Sequence, residues 1–416
     1  MTPLLNLAAV LLALAAAIGY VNHRWFRLPH TIGLVVIALA ASLAILGLDL
    51  LAPGLGFRTA VRGAINGIDF PELLMKGMLS FLLFAGALHI NLDELARRKW
   101  AIGAMASIGV LISTAVVGSA IYLIAGWVGV PMPITYCLVF GALISPTDPI
   151  AVLGILKGIR VPPSLEAKIA GESLFNDGVG IVVFTILAAV ALGAEAGTPV
   201  TALGIAQLFA TEALGGAALG FATGFIAYRA IATIDEHNLE VLITLALVAL
   251  TYSVAIMIHV SGPISVVVAG ILIGNHGRHL AMSETTRDHL FKFWSLIDEI
   301  LNSVLFLIIG FEVLALTLAG NMLAMAAFAI PVVLAARFIA VSVPISVLSL
   351  RREFTAGAVP VLTWGGLRGG ISVALALSLP AFPQKDLVLA MTYGVVIFSI
   401  IVQGLTIEHV VRRAIR

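Results

Sequence analysis

The sequence predicts an all-α polytopic membrane protein of about thirteen transmembrane helices. Of the 416 residues, 61% are hydrophobic and only 11% are charged, which is too few charges to cover a soluble protein of this length. Apolar runs of roughly 18 or more residues recur along nearly the whole chain, and each could cross a bilayer as a helix. Two of these runs are interrupted by proline or glycine clusters, so they are the first places to look for a site.

Hydropathy places thirteen spans in order along the chain. They cover residues 3–21, 31–52, 73–92, 101–126, 134–157, 167–192, 203–228, 239–260, 262–274, 296–317, 325–349, 357–379 and 387–411. The basic flank of the first span follows it, with His23, Arg24 and Arg27, so we interpret it as a span rather than a cleaved signal peptide. Residues 57–72 and 282–294 are expected to be interfacial or loop segments.

The loop charges predict the orientation of the chain. Most of the 23 Lys and Arg residues share one side of the membrane if the N-terminus lies outside and the number of spans is odd. Cytoplasmic loops are enriched in Lys and Arg. We therefore expect a multi-pass protein of the plasma (inner) membrane with its C-terminus in the cytoplasm.

Spans five and twelve cannot be continuous helices. Span five carries Ser-Pro-Thr-Asp-Pro at residues 145–149, and span twelve carries Gly-Gly-Leu-Arg-Gly-Gly at residues 365–370. Non-helical backbone at membrane depth is tolerated only where it lines a site or is buried in protein. Two broken spans in corresponding halves are typical of a transporter built on inverted repeats, in which spans four to six pair with spans eleven to thirteen.

Span six carries the side chains that could hold a cation. Ser173 and Asp177 lie four residues apart and share one helix face, and Asn176 adjoins Asp177. Hard cations take oxygen ligands, and a broken helix offers free carbonyls. Thr147 and Asp148 at the break would complete the cation site. The alternative for Ser173 and Asn176 is that they only hold neighbouring spans together.

The other charges inside spans predict electrostatic roles. Asp148 could compensate the positive N-terminal end of a half-helix, and Arg368 could bind the exposed carbonyls at a C-terminal end. Arg337 lies too deep in span eleven to reach the interface, so it needs a carboxylate, and Glu172 in span six is the nearest unassigned one. We expect these two to form a structural ion pair.

Several classes of protein are excluded or disfavoured by the sequence. There is no Gly-x-x-x-x-Gly-Lys-[Ser/Thr] motif for ATP-driven pumping, no His-Glu-x-x-His zinc motif and no Thr-Val-Gly-Tyr-Gly potassium filter. The single Cys137 rules out an intrachain disulfide and a cysteine metal site. The net charge of +1 gives no reason to expect a nucleic-acid partner.

These motifs together resemble a known family. The residues at 145–149, the Gly-Glu-Ser-Leu-Phe-Asn-Asp-Gly at 171–178 and the glycine-rich 365–370 are similar to those of monovalent cation/proton antiporters, specifically the electroneutral sodium/proton exchanger branch. Ser-Gly-Pro-Ile at 261–264 and Leu-Asn-Ser-Val-Leu-Phe at 301–306 match the same family in order and spacing.

The resemblance implies an architecture and a site. The two broken helices would cross at the ion, and Asp177 would hold sodium and proton in turn. Residues 101–192 and 325–411 would form the core transport helices, 1–92 would supply dimerisation and gate helices, and 203–317 would supply linker and dimerisation helices of a homodimer. Asn176 stands where electrogenic relatives carry a second aspartate, which implies one-for-one exchange.

The functional expectation is therefore sodium/proton antiport, possible also with lithium, by alternating access without any cofactor besides the transported ions. A potassium/proton antiporter with the same residues is an alternative. A cation channel or a proton-sensing membrane protein is the alternative from a different class. Each of these takes a monovalent cation or proton and the lipid bilayer as partners, and none of them is an enzyme.

Overall fold

The computed structural model describes residues 3–51, 72–90, 92–149, 152, 163–195, 201–277, 282–315, 320–350 and 357–414. Across these ranges the chain is helical with no β-strands, which confirms the all-α prediction. The expected interfacial segment at 57–72 lies almost wholly outside the described residues, as do residues 153–157 at the end of span five.

Nine helices are long and apolar enough to cross a membrane among the described residues. They are Leu5–Phe26, His30–Asp49, Trp100–Val128, Lys168–Gly193, Leu203–Ile231, His237–Met257, Glu284–Glu312, Gly320–Ser349 and Lys385–Ala414. Shorter apolar helices lie at Leu73–Leu88, Ile134–Leu143 and Gly262–Asn275. The two halves of span twelve are Ala358–Trp364 and Gly370–Ser378. These elements match the thirteen expected spans in order.

Span ten is longer than the sequence pattern indicated. Its helix runs without interruption from Glu284 to Glu312, so of the two alternatives expected at 282–294, a loop or an interfacial segment, the loop is wrong from Glu284 onward. Ser283 is the reason the helix begins early, because its hydroxyl accepts the backbone N–H of Thr286 and caps the first turn. Arg287 and Lys292 lie in the added turns, where i, i+3 and i, i+4 ion pairs join them to Glu284 and Asp288.

The helices around the two breaks pack in a repeated pattern. Spans four and eleven pack against each other, and each packs against the first half of the broken span that follows it. Span six packs on the first half of span five, and span thirteen packs on both halves of span twelve. Gly118 and Gly141 let spans four and five approach closely, since a Cβ at Gly141 would meet the backbone of Thr114.

The remaining spans form a second group beside this core. Span nine packs on spans three, seven and eight, and span ten packs on spans two and three. The large exposed apolar side chains of these helices include Leu203, Phe221 and Leu242. Such side chains suit contact with lipid rather than water.

Candidate functional site

The two interrupted spans cross and touch through their main chains. The backbone N–H of Asp148 in the span-five break donates to the carbonyl of Leu367 in the span-twelve break, at 2.8 Å. The two residues form an isolated antiparallel bridge. Around it, the helix of span five ends at Leu143 and that of span twelve ends at Trp364, before resuming at Gly370. The crossing therefore gathers non-helical backbone from both spans at one place.

A buried arginine binds main-chain carbonyls at, or just beyond, the end of each first half-helix. Arg368, which is 2% exposed, donates from Nη1 to the carbonyl of Pro146 at 2.9 Å and to that of Ser145. Arg337 donates from Nη2 and Nε to the carbonyl of Leu362, at 3.0 and 3.2 Å. Carbonyls at a helix C-terminus carry partial negative charge and have no partner within the helix, so a guanidinium stabilises them.

Arg337 also forms an ion pair with Glu172 of span six. Nη1 lies 2.5 Å from Oε1 and Nη2 lies 2.7 Å from Oε2, so the contact is bidentate. Both residues are buried. The structure thus joins the two side chains that the sequence paired, and it adds the contact of Arg337 with Leu362, which the sequence did not suggest. One arginine ties span eleven to span six and to the first half of span twelve.

Two polar side chains of span six, those of Ser173 and Asn176, close around Thr147 at the span-five break. The backbone N–H of Thr147 donates to Oδ1 of Asn176 at 3.1 Å, and Nδ2 of Asn176 donates to Oγ1 of Thr147 at 2.7 Å. The hydroxyl of Ser173 donates to the carbonyl of Thr147. Asn176 also donates to Glu172, at 3.3 Å. Asn176 and Ser173 therefore join span six to the break in span five, which is the packing contact expected of them as an alternative role. The same contacts gather the hydroxyl oxygens of Thr147 and Ser173 and the carbonyl oxygen of Thr147 in one place.

Asp177 lies on the same helix and is held differently. Its side chain is buried, with 6% of its surface exposed. Within the described ranges no donor reaches its Oδ1. Asp148, Glu172 and Arg368 lie near enough to act on its charge. A buried carboxylate oxygen without a hydrogen bond is costly unless a proton or a cation neutralises it.

Asp148 faces the second half of span twelve. A Cβ at Gly369 would overlap the carboxyl group of Asp148, so the carboxylate lies against the backbone immediately before the half-helix that starts at Gly370. The N-terminal end of a helix carries partial positive charge. In this position the Asp148 carboxylate is only half-buried beside the crossing.

Supporting residues from spans four and thirteen were not singled out by the sequence. Ser145 donates to Ser113 of span four at 2.9 Å. In span thirteen, Ser399 accepts the backbone N–H of Arg368 at 2.8 Å, and Gln403 donates to the carbonyl of Trp364 at 2.9 Å. Ser399 and Gln403 begin and end a π-helical turn, a feature that often marks functional sites. A glutamine in the middle of a hydrophobic span was the available signal.

Other polar residues of the spans lie outside the crossing. Asn302 donates to the carbonyl and carboxylate of Asp298, one turn earlier in span ten. Across the described residues no group of three His, Cys, Asp or Glu side chains is arranged to hold a metal ion. The polar cluster at the crossing instead combines carboxylates, hydroxyls and carbonyls, which suits a weakly held monovalent cation.

The chain is similar to known proteins over nearly its whole length. Residues 10–413 match the family model described as sodium/hydrogen exchanger, transmembrane. The chain is 48% identical to the Na(+)/H(+) antiporter NhaP of Pseudomonas aeruginosa, covering 99% of this chain and 97% of that protein. It is 33% identical to the Na(+)/H(+) antiporter NhaH of Halobacillus dabanensis, covering 97% and 96%.

The fold is similar to a solved structure as well. The sodium proton antiporter MjNhaP1 from Methanocaldococcus jannaschii superposes with a TM-score of 0.77 at 16% identity, over 99% of this chain and 98% of that one. At this identity the likeness concerns the fold alone. It supports the arrangement of the helices. The roles of individual side chains are argued from the contacts in this chain.

Proposed function

This chain belongs to the sodium/hydrogen exchanger family, and on that premise we propose that it exchanges sodium ions for protons as a secondary active transporter. The family consists of transmembrane transporters, so the bound ions are cargo and no bond is made or broken. The proposal includes no resident cofactor. A multi-pass position in the plasma (inner) membrane, with the N-terminus outside and the C-terminus in the cytoplasm, belongs to the same proposal and is supported by the loop charges.

The observation that carries the proposal is that the Asp177 carboxylate is buried with one oxygen lacking a hydrogen bond within the described part of the chain. Its Oδ1 is buried at the crossing and accepts no hydrogen bond from the described residues. An ionised carboxylate at membrane depth costs several kcal/mol unless it is neutralised. A proton and a sodium ion can each neutralise it, but they cannot do so together. Competition for one carboxylate couples the two fluxes, because the empty charged site is too costly to move across the membrane.

We assign the sodium ligands to the oxygens that surround the crossing. Asp177 and Asp148 supply carboxylates, and Thr147 and Ser173 supply hydroxyls that already lie in contact with each other. Asn176 holds Thr147 in place through two hydrogen bonds and supplies an amide oxygen to the same cluster. In this assignment Asp148 is both a ligand and the compensator of the half-helix, while Arg368 acts only on the carbonyls.

Transport follows by alternating access. Residues 101–192 and 325–411 contribute the crossing and its supporting spans, and we propose that they move together as the core. Residues 1–92 and 203–317 supply the gate, linker and dimerisation helices of a homodimer. Their separate packing around spans three, nine and ten supports this division. Movement of the core against them would open the site to either side.

Exchange is proposed to be electroneutral, with one sodium for one proton. Asn176 is neutral and hydrogen-bonded, which leaves Asp177 as the shared proton carrier. If charge moved, the membrane potential would act on it with about 2.3 kcal/mol per charge per 100 mV. Sodium/proton exchange in liposomes clamped at different potentials with potassium and valinomycin should proceed at one rate. A rate or end-point that follows the voltage would rule out one-for-one exchange.

The test of the function itself compares ions and variants in the same liposomes. An imposed sodium gradient should drive proton movement in the wild-type protein, and Asp177→Asn should abolish it without loss of folded protein. Glu240→Gln is the matched control, because Glu240 is also a buried carboxylate but lies at the start of span eight. Proton movement with potassium but not sodium or lithium would favour potassium/proton antiport. Sodium flux without a counter-ion would indicate a channel.

A further inference from the structure

A basic cavity lies where spans one and two meet, apart from the crossing. Its volume is about 640 Å³. The residues that line it are Asn22, His23, Arg24, Arg27, Leu28 and His30. None of them belongs to the ion site, and the transport mechanism gives them no role.

The charge of this cavity is positive and uncompensated. Arg24 and Arg27 are exposed, and within the described ranges neither guanidinium forms an ion pair with a carboxylate. His23 and His30 add ring nitrogens that can donate hydrogen bonds. A guanidinium binds phosphate through two parallel N–H donors. The lining therefore suits an anion with several acceptor oxygens.

The loop that carries these side chains is held in one conformation. The Asn22 side chain donates to the carbonyl of Leu28 at 2.9 Å and accepts its N–H at 3.2 Å. The N–H of Arg27 donates to the carbonyl of Asn22 at 2.6 Å, with Arg27 in the left-handed region at φ 55°. His30 is tied to Ser303 of span ten at 2.8 Å. The site is thus organised before any ligand arrives, which lowers the cost of binding.

The position of the cavity is interfacial. It lies between the C-terminal end of one apolar helix and the start of the next. Tyr20, Trp25 and Phe26, which precede or interrupt the lining residues in the sequence, have exposed aromatic rings, and Tyr20 and Trp25 contact each other edge to face. Aromatic side chains gather at the level of lipid headgroups, and basic pockets on the cytoplasmic side bind anionic headgroups.

We propose that this cavity is a binding site for a phosphate group, supplied by the headgroup of an anionic phospholipid in the adjoining leaflet. Arg24 and Arg27 hold the phosphate, and His23 and His30 contribute donors at its rim. The exposed rings of Trp25 and Phe26 lie among the acyl chains. The same phosphate chemistry would accept a free phosphate ion, so the test separates the two sources.

The experiment uses the full chain purified in a neutral detergent. Binding of phosphatidylglycerol, phosphatidylcholine and inorganic phosphate is measured for the wild type, for Arg24→Gln/Arg27→Gln and for Arg229→Gln. Arg229 is an exposed arginine at the end of span seven and lies outside the cavity, so it is the matched control. The melting temperature of each variant without lipid reports its folding, and Arg27→Gln alone replaces the double variant if that one unfolds.

The proposal expects phosphatidylglycerol to bind at least tenfold more tightly than phosphatidylcholine. The cavity variant should lose that preference, and the control should keep it. Displacement of phosphatidylglycerol by millimolar inorganic phosphate would show that the cavity binds phosphate, as proposed, but that free phosphate and not the lipid headgroup is its source. Equal binding of both lipids by the wild type, or unchanged preference in the folded cavity variant, would overturn the proposal.

Discussion

Spans five and twelve are both interrupted at the crossing, but different residues interrupt them and those residues do different things. The break at 145–149 contains two prolines and an aspartate, whereas the break at 365–370 contains four glycines and an arginine. Prolines remove N–H donors and fix the chain. Glycines leave room, and side chains of other spans fill it: a Cβ at Gly366 would meet the guanidinium of Arg337, and one at Gly369 would meet Asp148.

The comparison teaches that the two breaks have different roles, one in binding the proposed ion and one in stabilising the crossing. Span five presents Thr147 to span six and Asp148 to span twelve, and both residues are proposed ligands of the ion. The glycines of span twelve make room for the charged side chains of Arg337 and Asp148 from other spans. Its own Arg368 donates hydrogen bonds to the carbonyls of Ser145 and Pro146. Each break therefore carries the charge that the other one needs. Substitutions at span five should change ion handling, and substitutions around span twelve should first change stability.

The largest effect on stability is expected at the ion pair that supports span twelve. Glu172→Ala and Arg337→Ala should each lower the free energy of unfolding by about 3–5 kcal/mol, because each leaves a buried charge unpaired. The apparent sodium affinity should change less. Thermal melts of both single variants and the double variant form the cycle. The double variant should lose less than the sum of the singles, and strictly additive losses would show that the two residues are not coupled.

A smaller effect is expected from filling the glycine-rich break. Gly369→Ala places a methyl group where the carboxylate of Asp148 lies, and this overpacking should cost about 1–3 kcal/mol. Gly103→Ala is the control, since a Cβ at Gly103, near the start of span four, would meet nothing within 4 Å. Its melting temperature should stay the same or rise. If Gly369→Ala keeps the stability and the exchange rate of the wild type, the Asp148 carboxylate does not pack against the backbone of Gly369.

The smallest effect is expected from the support that span thirteen gives to span twelve. Ser399→Ala removes the acceptor of the Arg368 backbone N–H and should cost about 1 kcal/mol. Thr392→Val in the same span removes only a bond to its own helix, at Val388, and should cost less. Chemical denaturation of the two variants checks the order. If Thr392→Val is the more damaging change, Ser399 gives no specific support.

The sequence predicted the spans well, but it did not predict the side chains that hydrogen-bond to the two interrupted segments. The reasons are physical. Helix length and hydropathy are local properties, so the order of spans and both interruptions followed from the chain itself. The pairing of Glu172 with Arg337 followed because a buried arginine must have a partner. Ser113, Ser399 and Gln403 were missed because the register between two spans decides which hydroxyl meets which backbone group, and hydropathy carries no information about register.

The early start of span ten illustrates a second limit. Its first turns hold Arg287 and Lys292, and a search for apolar runs excludes them. In the structure a serine cap and short-range ion pairs sustain the helix there. Helix formation depends on caps and neighbouring charges as well as on hydrophobicity, and the apolar pattern alone marks only the part of a helix that suits lipid.

The central claim is that sodium and proton compete for Asp177, and proton release by the purified protein tests it most directly. Adding sodium to weakly buffered protein should release protons from the wild type, up to one per chain, with saturation as the site fills. The same addition should release none from Asp177→Asn, while Glu240→Gln behaves like the wild type. Undiminished release from folded Asp177→Asn would contradict the account and would move the shared site to another carboxylate.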